Sequence, residues 1–320
     1  MSEYKTIQGT RVRNYSSDPA NPLLGQIWYN TTTNVLKGLG QTTAGAWSTG
    51  GNLNTGRAGT GGAGTQSAGL AFGGGFPVKA NTESYNGSSW TEVADLNTAR
   101  ASLAGTGTQT AALAFGGNPV RSLTESWNGS SWTEVADLNT GRDNLGSATA
   151  GTNTDALAFA GSAPSETANT ELWNGSSWTE VNNLNTATRG VAGAGTSTSA
   201  LSSGGANPGI TANTEQYNGT SWTEVNNLNT ARRNLAGAGI NNTSAIVYGG
   251  YSTGYVGVTE EWNGTSWTEV ADMATGRSES SSIGSLTSAL AGGGYNGSYL
   301  TTTEEWTGAG SPVVQTFTDS

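Results

Sequence analysis

RRNLAGAGINNTSAIVYGGYSTGYVGVTEEWNGTSWTEVADM, residues 232 to 273, contains every part of a unit that recurs along this chain. An Arg opens it. A run of small residues follows, then an apolar run, the glycine pair Gly249-Gly250, a Glu-x-aromatic-Asn-Gly segment and Trp267. Working outward, Trp47, Trp90, Trp132, Trp178, Trp222 and Trp267 fall 42 to 46 residues apart, each opening a similar segment. The aromatic series Tyr85, Trp127, Trp173, Tyr217, Trp262 and Trp306 keeps the same period. A repeat of this length denotes one supersecondary unit that buries its faces only against its neighbours.

Each copy reads as four strands. In the second, residues 101 to 108 are rich in Gly and Ala, as an innermost strand crowded about an axis requires. Residues 111 to 115 are continuously apolar, which suits a strand covered on both faces. Residues 123 to 127 run into Asn128-Gly129, whose tolerance of positive φ marks a hairpin, and a fourth strand starts at Trp132. Trp132 and Val135 differ in parity, which predicts a bulge or a half-exposed outer strand.

The order of Arg, small run, apolar run, glycine pair and Glu-x-aromatic-Asn-Gly resembles the kelch repeat over nearly all of residues 47 to 306, although the third copy has Ala160 and Gly161 in place of the pair. The resemblance implies an all-β fold, a six-bladed kelch-like β-propeller with a short N-terminal extension. WD repeats would need Gly-His and Trp-Asp signatures, and the Gly, Thr and Asn density excludes helical repeats. WSTGGNLNTGR at 47 to 57 has the spacing of WTEVADLNTAR at 90 to 100, yet no blade precedes it. Residues 47 to 53 are therefore expected to complete the sixth blade and close the ring, with SPVVQTFTDS packing outside it. The expected domains are 1 to 46, an anchoring segment with a small hairpin, and 47 to 320, the propeller.

Composition narrows the chemistry. Glycine supplies 49 of 320 residues, about twice the usual share. Disorder is argued against by 11 Trp, 10 Tyr and 5 Phe recurring at regular intervals. The absence of Cys excludes disulfides and thiolate zinc sites, and the absence of His removes the usual general base and metal ligand together. No apolar run of about eighteen residues and no signal-like h-region stands in the sequence, so a soluble chain without membrane insertion is expected. Net charge is −10, and residues 1 to 46 carry four basic against two acidic side chains, so the repeats are more acidic still. Nucleic acid is not an expected partner.

Kelch likeness also raises galactose oxidase, but its copper site needs His and a Cys-modified Tyr. The sialidase Asp-box would need Asp where Tyr85 precedes NGSSW. Paired carboxylates keep glycosidase chemistry open. Most carboxylates, however, repeat with the blades and read as lattice elements. Arg57, Arg100, Arg142, Arg189, Arg232 and Arg277 recur with Glu83, Glu125, Glu171, Glu215, Glu260 and Glu304, and read as a repeated ion pair rather than an anion-binding ring. Asn-Gly-Ser/Thr triplets match glycosylation sequons only because hairpin turns repeat. No catalytic residue, metal site or cofactor is assigned, and the chain reads as non-enzymatic.

NYSSDPANPLLGQIWYNTTTNVLKG, residues 14 to 38, lies outside the repeat and reads as a small hairpin about residues 30 to 34. It resembles a segment at the start of tailed-bacteriophage structural proteins with Gly- and Thr-rich kelch-like repeats. That resemblance implies a virion protein that displays the propeller for host-surface recognition or adhesion, as on a tail fibre. Ile27, Trp28 and Tyr29 are the candidate anchoring residues toward other virion proteins. A capsid decoration protein and a non-viral bacterial glycan-binding protein or carboxylate-dependent glycosidase are the alternatives.

The loops between second and third strands differ among copies: GFPVKAN, NPVRSL, SAPSETAN, ANPGITAN, YSTGYVGV and YNGSYLT. Strand alternation puts all six on one face, and large aromatics occur in three of them. Phe76, Tyr251, Tyr255, Tyr295 and Tyr299 are therefore the candidate ligand-binding residues, suited to a host surface glycan or protein.

Overall fold

The computed structural model describes residues 12 to 42, 44 to 310 and 312 to 317. Among these residues every regular element is a strand, and the strands form seven four-stranded sheets rather than the six expected from the repeat. Six sheets lie in one compact unit, Ala46–Thr307, and the seventh in a second unit made of Met1–Gly45 and Gly308–Ser320. The repeat explains the six. The seventh comes from residues that do not repeat.

In the larger unit the second copy forms strands Ala104–Thr108, Ala111–Phe115, Thr124–Trp127 and Trp132–Val135, paired antiparallel in that order. The fourth strand keeps regular register, so its mixed parity reflects half-exposure and not a bulge. A register shift occurs instead between Gly239 and Asn241. The sixth sheet has Ile283–Ser285, Ser288–Gly292 and Thr303–Thr307 from the last copy, and its fourth strand is Ala46–Gly50. Trp306 stands opposite Trp47 there, as the spacing of residues 47 to 57 predicts.

Innermost strands are the first of each sheet, and they lie against one another in succession, with Ile283–Ser285 returning to Gly61–Thr65. Their small residues are a steric requirement: a Cβ on Gly193 would sit 2.0 Å from the Ser147 carbonyl oxygen of the next sheet. Just before these strands Gly59, Ser102, Asn144, Gly190, Asn234 and Glu279 all adopt left-handed φ between 51° and 66°. Each donates its backbone N–H to the carbonyl of the preceding member at 2.7 to 2.9 Å, and Gly59 donates to Glu279, so the cycle of six hydrogen bonds closes on itself.

Between sheets the outer aromatics do the packing. Trp90, Trp132, Trp178, Trp222 and Trp267 are buried, and each indole N–H reaches a buried threonine hydroxyl of the preceding sheet, as from Trp132 to Thr82 at 3.1 Å. Trp47 does the same toward Thr259 at 3.0 Å while its ring meets Tyr248 and Trp306. Apolar burial of this kind contributes roughly 25 cal/mol per Å², and the indole hydrogen bond fixes each sheet's register on its neighbour.

The repeated Arg and Glu are buried pairs at the inner end of five sheets: Arg57–Glu83 at 3.0 Å, Arg100–Glu125 at 3.2 Å, Arg142–Glu171 at 2.9 Å, Arg232–Glu260 at 3.0 Å and Arg277–Glu304 at 2.6 Å. Every one of these arginine side chains is fully buried, so none lines an anion-binding face. The fourth sheet departs from the expected pairing. Arg189 stands one residue beyond the repeated position, is 40% exposed and pairs with Glu166, while Thr188 occupies the repeated position beside Glu215.

The smaller unit orders its strands Arg13–Tyr15, Ile27–Asn30, Val35–Gln41 and Pro312–Phe317. The expected hairpin is present, with Asn30 opposite Val35. Residues 308 to 320, assigned by the repeat boundary to the 47 to 320 domain, belong here because Pro312–Phe317 pairs with the free edge of Val35–Gln41. Asp18 accepts from Lys37 Nζ (2.8 Å), Asn30 Nδ2 (2.9 Å) and Trp28 Nε1 (3.1 Å), bonds that draw its carboxyl down to about 2.

Two outcomes are expected. A chain of residues 46 to 307 unfolds in one cooperative transition, whereas one starting at Asn52, without Trp47, melts well below it in calorimetry. Arg142→Met leaves Glu171 buried and unpaired and costs about 3 to 5 kcal/mol in denaturant titration; Arg142→Met with Glu171→Leu loses less.

Candidate ligand-binding site

The loops of the fifth and sixth sheets are built alike. Gly249 and Gly250, both at positive φ, turn the chain out of the second strand, and Tyr251 then bridges Arg233 through paired backbone bonds of 2.8 and 3.0 Å. A second bridge sets Tyr251 opposite Tyr255. In the sixth loop Tyr295 bridges Ser278 and Tyr299 in the same way. Equivalent backbone therefore holds four phenol rings in one row.

The rings touch in sequence: Tyr251 to Tyr255 at 5.3 Å, Tyr255 to Tyr295 at 5.6 Å across the two loops, and Tyr295 to Tyr299 at 5.2 Å, each between centroids. The Arg233 guanidinium lies 5.5 Å from the Tyr251 ring centre, within cation–π range. Phe76, from the loop of the first sheet, joins these residues around a cleft of about 420 Å³. All five aromatics proposed from loop variation thus line one site. Phe76 is 52% exposed and Tyr255 and Tyr299 38%, so ring surface remains open.

Four further lining residues escaped the sequence reading: Arg233, Asn234, Ser278 and Glu279. Their signal was the position just after the repeated Arg, where Ala58-Gly59 and Ala101-Ser102 become Arg233-Asn234 and Ser278-Glu279. Asn234 and Glu279 are members of the closed hydrogen-bond cycle, so the cleft shares that hydrogen-bonded backbone. Glu279 accepts a hydrogen bond of 2.7 Å from Asn234 Nδ2. Burial pushes its carboxyl above the ordinary value, against the opposing pull of that bond and of Arg233. Desolvation and its ring neighbours likewise raise the Tyr255 phenol. The arrangement offers flat apolar faces with phenolic edges, one cation and one carboxyl: the equipment for holding a polar ring.

A second cleft of about 230 Å³ shares Phe76, Arg233, Asn234 and Glu279 and adds Asp143, Asn144 and Arg189. The recessed face therefore extends toward the segments entering the third and fourth sheets.

The proposed anchoring residues fare differently. Trp28 is fully buried within the smaller unit and Ile27 and Tyr29 are half-buried, so Trp28 presents no surface to a partner. The aromatic had found its cover locally, over Asp18. Among the described residues, the exposed large apolar side chains of that unit are Val12, Leu23, Leu24, Val314 and Phe317.

Because the folded state holds the Glu279 proton more tightly than the unfolded chain, ionising Glu279 costs stability as pH rises from the unfolded value of about 4.3 through the raised folded one. The melting temperature of Glu279→Gln, measured relative to the unaltered protein, is expected to rise over that interval and then level off. Parallel pH profiles for the two proteins would remove the carboxyl's role.

No protein-family model matches the chain, and no curated protein matches it in sequence.

Proposed function

We propose that Ala46–Thr307 is a six-bladed β-propeller of the kelch type, and that the protein is a bacteriophage virion component. In this reading it recognises a host-surface glycan through the tyrosine cleft, without catalysis. The cyclic contacts of six four-stranded sheets, the closing strand Ala46–Gly50 and the hydrogen-bond cycle support the propeller. The single observation that carries the recognition reading is the row of four tyrosines beside Arg233 and Glu279.

Sugar rings present C–H faces that stack on phenol rings and hydroxyl edges that need donors and acceptors. Tyr255 and Tyr299 supply the first, and Asn234, Glu279 and Arg233 the second. A cleft of about 420 Å³ falls within the size range of small-molecule pockets. Its walls are loops held by backbone bridges, so little ordering entropy is lost on binding. The smaller unit supports a division of labour, because it lies outside the repeats and carries exposed Leu23 and Leu24 as surface for virion partners.

Replacing Tyr251, Tyr255, Tyr295 and Tyr299 with Ala is expected to weaken attachment to host cells or purified surface glycan by at least about thirtyfold, the scale of a binding hot spot. Thermal stability and incorporation into particles should change little. Unaltered attachment would move recognition elsewhere. Loss of particle incorporation with attachment intact would favour a coat role for this face.

A further inference from the structure

The fourth sheet keeps the cradle of the buried arginine without the arginine. In the first sheet Arg57 Nη1 donates to the carbonyls of Gly73 (2.9 Å) and Asn81, and Nη2 to Ala71 O (3.3 Å) and Glu83 Oε1 (3.0 Å). The sixth sheet repeats this with Arg277 on Gly293, Thr302 and Glu304. The corresponding acceptors in the fourth sheet are the carbonyls of Ser202, Gly204 and Asn213 and the Glu215 carboxylate, Ser202 standing opposite Glu215 as Ala71 stands opposite Glu83.

Thr188 holds the arginine's place in the backbone pattern: Gly161 N–H bonds its carbonyl as Gly74 N–H bonds that of Arg100. Its hydroxyl, however, turns away to donate to Ala206 O at 3.3 Å. Between Thr188 and Glu215 a small, partly enclosed cavity of about 10 Å³ remains, lined also by Thr186, Ser202, Gly204, Thr211 and Asn213, which is room for roughly one water-sized sphere. Glu215 is only 3% exposed and accepts from Asn185 N and Nδ2, each at 2.8 Å, and from Thr186 N at 3.0 Å. Among the described residues no Lys or Arg pairs with it, whereas each of its five counterparts does pair with an Arg.

We infer that this cavity is a binding site for a monovalent cation of about the size of water, K⁺ or NH₄⁺, which takes the part of the missing guanidinium between Glu215 and the three carbonyls. The atoms that replace the guanidinium's partners, one carboxylate and three carbonyls, are oxygen donors, which suits a hard cation. One carboxylate balances one positive charge, as in the five sister sites, so a divalent ion would leave an excess charge in a buried place. Binding to the folded state alone raises stability with ion concentration and then follows the logarithm of that concentration.

The test is the melting temperature of the full chain at fixed ionic strength in KCl, NH₄Cl or NaCl against tetramethylammonium chloride, whose cation is too large for the cavity. A melting temperature higher by about 2 °C or more in K⁺ or NH₄⁺ is expected. Thr188→Arg should abolish that dependence and melt above the unaltered protein in tetramethylammonium. Glu215→Gln should also lose the dependence. Equal melting in all four salts overturns the site, as does a K⁺ or NH₄⁺ effect that survives in Thr188→Arg. Stabilisation by CaCl₂ alone would overturn the monovalent assignment.

Discussion

A guanidinium with no access to water draws carbonyl and carboxylate oxygens onto its Nη atoms, and five of the six repeats arrange their strands around that demand. Arg277 is the clearest case. Its Nη1 takes the carbonyl of Gly293, which follows the second strand, and that of Thr302, which precedes the third, while its Nη2 takes Glu304. The two strand ends are thereby pinned to each other. Glu304 then accepts the backbone N–H groups of Ala274 and Thr275, which lead out of the preceding sheet. One ion pair thus fixes both the inner end of a sheet and the chain entering it. Its net stabilisation is modest because desolvation offsets most of the attraction, but its geometric demand is strict.

The same connection explains why the variable loops can carry function. The chain between second and third strands leaves and returns at carbonyls held by the arginine, so its tip can change length and composition without disturbing the ladder. Tyr251 and Tyr295 hang from equivalent backbone bridges in two adjacent loops, whereas the first sheet's loop offers Phe76. The cleft is the product of three different tips on a common mount.

Much of this was legible in the sequence, and the misses have physical reasons. The Trp period, the hairpins and the lending of residues 47 to 53 to the last sheet could be read because each depends on local pattern and spacing. That the five aromatics share one cleft could be read because variation stands out against near-identical copies. Arg189 was misread because its identity outweighed its register: counting four residues on from Leu184, as from Leu53 to Arg57, reaches Thr188. Trp28 looked in need of a partner because its indole N–H is taken by Asp18, ten residues earlier, a contact no periodic pattern announces. Glu279 and Asn234 were passed over because a left-handed backbone position invites Gly, and polar residues there carry no periodic signal.

The strand Ala46–Gly50 has one more consequence, and it concerns time. A ribosome makes Ser48 long before Glu305, its partner 257 residues later. Until then the edge of Ala46–Gly50 and one face of Trp47 have nothing to rest against, and the half-made series of sheets has two unsatisfied ends. Closure is a long-range event with a large entropic cost. Nascent chains on neighbouring ribosomes present one another with the same two ends. The fold thus favours well-separated synthesis, or a chaperone that covers the first strand while the last is being made.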